Sequence, residues 1–154
     1  MKVTVQDAIN GADNLTDTRQ PYGALQQFYR ALNTRDRELM ARNWDSSEDA
    51  AMDNPLGGIK RGWNEIASVY ERLFSANAEF HFEFYDYSLH LSENIFYVVG
   101  RERGRFSRNG KTLDLAIRTT RIFRKADDGN WRHVHHHGSI EDPQLLAEYQ
   151  QAVR

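Results

Sequence analysis

The sequence predicts one α+β domain, in which helices pack against an antiparallel sheet. In the first half of the chain, apolar residues recur every three or four positions, the period of amphipathic helices. From residue 79 onward they alternate at every second position, the period of strands. Helices followed by a run of strands joined through short turns are typical of α+β architecture. At 154 residues the chain can build one core but is too short for two ordinary domains.

Composition excludes several classes of protein. Hydrophobic residues make up 40% and aromatic residues 12%, which is typical of a globular domain. The net charge of −2 argues against a nucleic-acid or acidic-membrane partner, either of which needs a basic surplus. The chain contains no cysteine, which excludes disulfides and a thiol nucleophile. It shows neither a signal core nor an apolar run of transmembrane length, so we expect a cytoplasmic location.

Three helices are predicted in the first half, after an N-terminal arm at residues 1–20. In the arm, a short helix over residues 5–10 and a loosely held segment are both open interpretations. Pro21 precedes the first helix, and Asp36 is placed to cap the second. A short strand at residues 50–54 leads to the third helix. The apolar stripes of the first and third helices are Leu25, Phe28, Tyr29, Leu32, and Trp63, Ile66, Ala67, Tyr70, Leu73, Phe74.

The second half predicts a meander of four strands and a final helix. In residues 79–91 the apolar positions change phase, which predicts a bulge or sharp bend. The next two strands, residues 95–106 and 112–124, are joined by Asn109-Gly110, a strong hairpin signal. The last strand covers residues 131–139. The main domain spans residues 21–140, and Asp142 caps a C-terminal helix within residues 141–154.

Histidines are concentrated on the last strand, in the sequence HVHHHGS. Strict alternation places five residues on one face: Trp131, His133, His135, His137 and Ser139. His135 and His137, ~7 Å apart along the strand, could share zinc if a further ligand approached. His133, His81 and Glu102 are the candidates for that ligand. The alternative is a row of hydrogen-bonded polar residues in a pocket wall, and we expect no tightly bound metal and no cofactor.

The same histidines are candidates for acid–base chemistry, because an imidazole can exchange protons near neutral pH. His135 or His137 could work with Tyr29, Tyr85 or Asp53. The alternative is that these histidines are structural.

Arg121 lies at an apolar position of the strand over residues 112–124. Every second residue from 113 to 123 is apolar except Thr119 and Arg121. A buried charge is costly unless it is paired. Two partners remain open: an internal carboxylate, from Glu102 or Asp53, or the carboxylate of a ligand, to which Arg101 on the neighbouring strand could contribute.

Three stretches carry a resemblance to a known superfamily: ALQQFYRALNTRD, MDNPLGGIKRGWNEI and RTTRIFRKADDGNWRHVHHHGS. They resemble the nuclear transport factor two-like superfamily, and within it the SnoaL-like branch. The resemblance covers roughly residues 22–140. It implies a cone-shaped domain whose bent antiparallel sheet wraps around N-terminal helices and a pocket, with the C-terminal helix as an addition. The third stretch is also similar to the association domain of calcium/calmodulin-dependent protein kinase II.

The middle stretch resembles ketosteroid isomerase, but the residues expected for catalysis are replaced. Asn54 stands where that family has its carboxylate base, Phe28 where it has an oxyanion tyrosine, and Thr119 where it has a pocket aspartic acid. An amide cannot accept the proton, and a phenyl ring has no donor, so that mechanism is not carried over. The resemblance also implies that Trp44 and Trp63 line the pocket.

We therefore expect a pocket protein that binds a small, partly apolar molecule, which can carry a carboxylate, and that forms a homodimer through the outer sheet face. A cofactor-independent isomerase, dehydratase, cyclase or hydrolase is one alternative, and an oligomerisation module is another. The expected catalytic residues are His135, His137 and Tyr29. The expected ligand-binding residues are Arg121, Asn54, Trp44, Trp63, Phe28, Thr119 and Arg101.

Overall fold

A computed structural model describes residues 7–14 and 17–154. The elements are α1 (Pro21–Thr34), α2 (Arg37–Asn43), β1 (Ala51–Asp53), β2 (Lys60–Arg61), α3 (Gly62–Ser75), β3 (Ala78–Leu91), β4 (Ile95–Arg108), β5 (Lys111–Lys125), β6 (Trp131–Ser139) and α4 (Pro143–Ala152). The predicted α+β class is confirmed, as is the bent antiparallel sheet packed on N-terminal helices. No helix among the described residues is long and apolar enough to cross a membrane.

The sheet has six strands in the order β2-β1-β6-β5-β4-β3. Strands β3 to β6 form the predicted antiparallel meander. The short strand β1 joins its edge by pairing in parallel with β6, so that Asp53 lies beside His137. Strand β2, which the sequence pattern did not indicate, completes the edge by pairing with β1.

The helices pack their apolar stripes against the inner face of the sheet. Leu25, Phe28, Tyr29 and Leu32 of α1 are all buried. Asp36 caps α2 as predicted, because its side chain accepts a hydrogen bond from the backbone N–H of Leu39. This packing places α1 and α3 inside the curve of the sheet.

Strand β3 bends where the apolar phase changes, as predicted. The pairing of β3 with β4 shifts register between Tyr85 and Ser88, and Asp86 within the shift has φ of 47°. Phe84 before the bulge is fully buried, and Tyr87 after it packs against the same core. The bulge therefore lets one long strand curve around the helices while keeping aromatic residues inside.

The prediction that β6 alternates strictly is wrong. Phe123 of β5 pairs with His133, whereas the preceding residue, Ile122, pairs with His135, so Val134 is an extra residue in β6. A bulge of this kind inverts the facing of all later residues. His133 is thus buried before the bulge and His136 after it, while His137 is exposed.

The N-terminal arm contributes a residue to the core. Ile9 is fully buried and exchanges two backbone hydrogen bonds of 2.8 Å with Phe84. Residues 7–10 are thus neither helical nor loosely held, because Ile9 extends the sheet by an isolated bridge. The remainder of the predicted helix, residues 5 and 6, lies outside the described residues.

Candidate functional site

A cavity of about 460 Å³ lies between the inner face of the sheet and helices α1, α3 and α4. Its volume falls within the range of small-molecule pockets. Most of its wall is apolar, and includes Leu32, Met52, Val69, Leu73, Phe82 and Ile117. The cavity is therefore suited to the apolar body of a small molecule.

The C-terminal helix closes one side of this cavity. Tyr149 and Val153 line it, and the Tyr149 ring meets Phe106 edge-on at 5.4 Å between centroids. Gln150 also donates a 3.2 Å hydrogen bond to the Leu56 carbonyl. Asp142 caps the first turn of α4, as predicted, and so fixes where the helix begins. The sequence predicted the helix but not that it would form a cavity wall.

A charged network lies at the buried end of the cavity. Arg121 Nη2 donates to Glu102 Oε2 at 2.9 Å, and the Tyr29 hydroxyl donates to the same oxygen at 2.6 Å. The side chains of Arg121 and Glu102 are only 2% and 7% exposed. The Arg121 guanidinium also lies 3.8 Å from the centre of the Phe28 ring, a cation–π contact. Of the two partners left open for Arg121, the structure contains the internal carboxylate.

The protonation of this network follows from burial and charge. Burial raises the pKa of Tyr29 well above its ordinary value, so the hydroxyl stays a hydrogen-bond donor. Burial acts to lower the pKa of Arg121, but its contacts with Tyr29 and Glu102 outweigh this and raise it. Arg121 Nη1 is buried and has no hydrogen-bond partner among the described residues.

Two buried histidines stay neutral at pH 7. His136 lines the cavity, and burial, reinforced by the charge of Arg121, lowers its pKa well below the ordinary value. The same two causes lower the pKa of His133. His133 is a core residue, stacked between Trp44 at 3.8 Å and Phe123 at 4.4 Å.

The outer part of the cavity is rich in arginine. Arg72, Arg108 and Arg154 line it in addition to Arg121, whereas Glu102 is the only carboxylate side chain among the described lining residues. Arg72 and Arg154 are exposed, and Arg108 is half-buried. None of these three forms an ion pair with a described residue. Arg108 donates a 3.3 Å hydrogen bond to the Ala152 carbonyl. Arg72 and Arg108 therefore place positive charge in the outer part of the cavity that no carboxylate among the described residues pairs with.

The predicted ligand-binding residues divide into two groups. Arg121, Asn54 and Phe28 line the cavity. The others lie elsewhere, because Trp44 packs on His133, Trp63 stacks on Trp44, Thr119 is buried outside the cavity wall, and Arg101 is half-exposed and pairs with Asp86.

The predicted catalytic residues also lie outside the cavity lining. Tyr29 is buried behind Glu102. The bulge turns His135 and His137 to the outer face, beside Asp53. His136 was not among the predicted site residues, although a run of three histidines in a strand places at least one on each face, whatever the phase of the strand.

Comparisons with known proteins agree on the fold. A family model described as a SnoaL-like domain matches residues 23–143. Among solved structures, a nuclear transport factor 2-like superfamily protein from Salmonella enterica serovar Typhimurium has a TM-score of 0.72 at 20% identity, covering 81% of this chain and 92% of that chain. A ketosteroid isomerase-like protein from Erwinia carotovora atroseptica has a TM-score of 0.65 at 19% identity, covering 78% of this chain and 92% of that chain.

The association domain of CaMKII from C. elegans is also similar, with a TM-score of 0.60 at 25% identity, covering 74% of this chain and 88% of that chain. No curated protein gives a significant match. The resemblance predicted from the three sequence stretches is confirmed.

We expect Arg121→Ala to destabilise the protein by about 3–5 kcal/mol, because it leaves the buried Glu102 carboxylate without its cation. Urea unfolding measures this loss. Arg118→Ala is the matched control, since Arg118 lies on the same strand but is 58% exposed and pairs with Glu141 at the surface. Its loss should cost no more than about 1 kcal/mol. Equal costs for the two variants would contradict a structural role for the buried pair.

We expect stability to fall as the pH drops below about 6.5, the ordinary pKa of histidine in an unfolded chain. Because the folded-state pKa values of His133 and His136 are lowered, protons bind preferentially to the unfolded state. The stability contributed by each neutral imidazole is present above that pH and is lost at about 1.4 kcal/mol per pH unit below it.

Urea unfolding at about pH 7.5 and about pH 5.5 tests this dependence. His136→Gln should reduce the loss between the two conditions, and the exposed His81→Gln should not. An unchanged pH dependence in His136→Gln would contradict the assignment of a neutral buried imidazole.

Proposed function

The chain belongs to the SnoaL-like domain family, and we propose that its cavity binds a small, largely apolar molecule that carries an anionic group. The observation that carries this proposal is the charge of the cavity wall. Four arginines line a mostly apolar space, and Glu102, the one carboxylate side chain among the described lining residues, is already paired with Arg121. Burial of an apolar ligand body would stabilise the complex by about 25 cal/mol per Å² of apolar surface. An anionic group would meet Arg72 and Arg108, which form no ion pair with a described residue.

The charge distribution favours one orientation of the ligand. Glu102 neutralises Arg121 at the buried end, so a carboxylate placed there would lie beside another carboxylate. Arg72 and Arg108 lie in the outer part and have no carboxylate partner in the part of the chain that the structure describes. The anionic group of the ligand is therefore expected at the outer arginines.

A cofactor-independent enzyme is the second candidate, favoured by the neutral imidazole of His136 in the cavity wall. A neutral imidazole can accept a proton from a bound substrate. Its lowered pKa makes it a weak base, however, and a general base works best with a pKa near the operating pH. A binding protein needs no general base, so the described side chains fit a binding function better than an enzymatic one.

We also propose that the chain forms a homodimer through the outer face of the sheet. Ile95, Tyr97 and Val99 of β4 point outward and are 42%, 41% and 45% exposed. Tyr97 and Val99 lie beside Ile122 and Thr120 of β5, which extends the patch across two strands. An apolar patch with a polar rim is typical of an interface core. The CaMKII association domain among the similar structures is consistent with self-association.

We expect aromatic and alicyclic carboxylic acids to raise the thermal stability of the protein, whereas the corresponding amides raise it less. A ligand at 100 times its dissociation constant adds about 2.7 kcal/mol, which a thermal-shift measurement detects. Changing both Arg72 and Arg108 to alanine should weaken acid binding by about tenfold or more, equivalent to about 1.4 kcal/mol.

Arg105→Ala is the matched control for the cavity arginines, since Arg105 lies on the same strand as Arg108 but is 73% exposed and pairs with Asp114. It should leave acid binding unchanged. Leu73→Trp, which fills the cavity from α3, should abolish binding of acids and amides alike. If no acid stabilises the wild type, or if acids bind equally well to Leu73→Trp, the cavity is not the binding site.

We expect the wild type to sediment as a dimer at micromolar concentration, and a variant with Tyr97→Lys and Val99→Lys to sediment as a monomer. Two lysines in the centre of an apolar interface would be desolvated without partners. Ile59→Lys is the control, because Ile59 is 53% exposed but lies outside the β4 patch. A wild-type monomer would contradict the dimer, and a ring of many subunits would favour the oligomerisation module instead.

A further inference from the structure

A second cluster of chemically active side chains lies on the opposite face of the sheet from the cavity. It consists of Asp53 of β1 with His135 and His137 of β6. The parallel pairing of the two strands places Ala51 beside His135 and Asp53 beside His137. All three side chains therefore share one face, and one donor atom from each lies within 4.8 Å of the others.

Two separations between donor atoms are close to those around a metal ion. Asp53 Oδ2 lies 2.9 Å from His137 Nδ1, and Asp53 Oδ1 lies 3.7 Å from His135 Nε2. Bonds of about 2.1 Å separate neighbouring ligand atoms by about 3.0 Å in an octahedral site and about 3.4 Å in a tetrahedral one. The observed distances lie on either side of these values, and all three donor atoms lie within 4.8 Å of one another, so side-chain rotations that shorten the widest separation would complete the site.

The backbone already holds one histidine in the tautomer that binds metal. His135 Nδ1 lies 2.8 Å from the carbonyl oxygen of Ala51. Since a carbonyl can only accept, Nδ1 carries the proton and Nε2, the atom nearest Asp53, presents its lone pair. A histidine that donates its other N–H to a backbone carbonyl is the usual outer-sphere arrangement of a metal ligand.

We propose that Asp53, His135 and His137 form a binding site for a divalent first-row transition metal ion such as Zn²⁺. Two imidazoles and one carboxylate are borderline donors that suit this class better than Mg²⁺ or Ca²⁺, which prefer oxygen ligands. The sequence suggested His133, His81 or Glu102 as the further ligand and led us to expect no tightly bound metal, whereas the structure places Asp53 beside the two histidines. Metal on His137 Nδ1 leaves the single proton of that ring on Nε2.

The site keeps coordination positions open. The side chain of His137 is 58% exposed, and those of Asp53 and His135 are 29% and 32% exposed. Three protein ligands leave at least one position for water or another small ligand, as in catalytic rather than structural zinc sites. The site lies on the outer face and is separate from the proposed ligand cavity, because none of its three residues lines that cavity.

The test is a calorimetric titration of Zn²⁺ into protein produced without a polyhistidine tag and freed of metal by a chelator. The wild type should bind one ion per chain, and Mg²⁺ should not compete. Loss of an outer-sphere partner weakens metal binding by about 10–100-fold. Because His137 and Asp53 would bind the metal directly, His137→Ala and Asp53→Asn should each weaken binding by at least about 100-fold. The absorption spectrum of bound Co²⁺ then reports the coordination number.

His81→Ala is the matched control, because His81 is exposed and belongs to a different strand. It should bind Zn²⁺ as the wild type does. Thermal unfolding of each variant without metal establishes whether it is folded. If Asp53→Asn does not fold, the Zn²⁺ affinity of His137→Ala alone decides whether the site exists. Absence of stoichiometric Zn²⁺ binding by the wild type, or binding that survives His137→Ala, would overturn the proposal.

Discussion

The buried ion pair between Arg121 and Glu102 is the interaction on which the rest of the site depends. A guanidinium that is only 2% exposed would be strongly destabilising without its 2.9 Å contact to the carboxylate. Tyr29 donates to the same carboxylate, so the network connects α1 to β4 and β5. Tyr29, Glu102 and Arg121 thus join the first helix to two strands of the sheet through polar contacts at the closed end of the cavity. Since that contact satisfies both charges, the buried end is nearly neutral, and the free positive charge lies further out.

The bulge in β6 determines which histidines lie on each face of the sheet. An extra residue at Val134 lets a run of consecutive histidines serve both faces of the sheet. His136 faces the cavity, where burial keeps it neutral. His135 and His137 face outward and meet Asp53, because β1 pairs in parallel at the edge of the sheet. One strand therefore supplies a side chain to the cavity and two to a separate cluster.

Much of the fold could be predicted from local sequence. The spacing of apolar residues predicted the helices and the meander. Asp36 and Asp142 could be identified as helix caps because capping depends only on residues close in sequence. The inward direction of Arg121 followed from the alternation along its strand. The β6 bulge could not be predicted, because no glycine or turn residue marks Val134.

The features of the two sites that the sequence did not predict have one cause. They depend on contacts between residues far apart in sequence. Asp53 lies 84 positions before His137 and reaches it through β1, a strand of three residues. The outer arginines of the cavity come from α3, β4 and the end of the chain, so no local pattern relates them. Helix α4 was predicted as a helix, but its place in the cavity wall depends on Phe106 and Leu56.

A crystal structure of the protein with its best-binding carboxylic acid tests the account most directly. We predict the carboxylate within hydrogen-bonding distance of Arg72 or Arg108, the apolar body between α3 and the sheet, and the Arg121–Glu102 contact intact. A carboxylate bound to Arg121, with Glu102 displaced, would contradict the claim that the buried pair neutralises the inner end and directs the anionic group to the outer arginines.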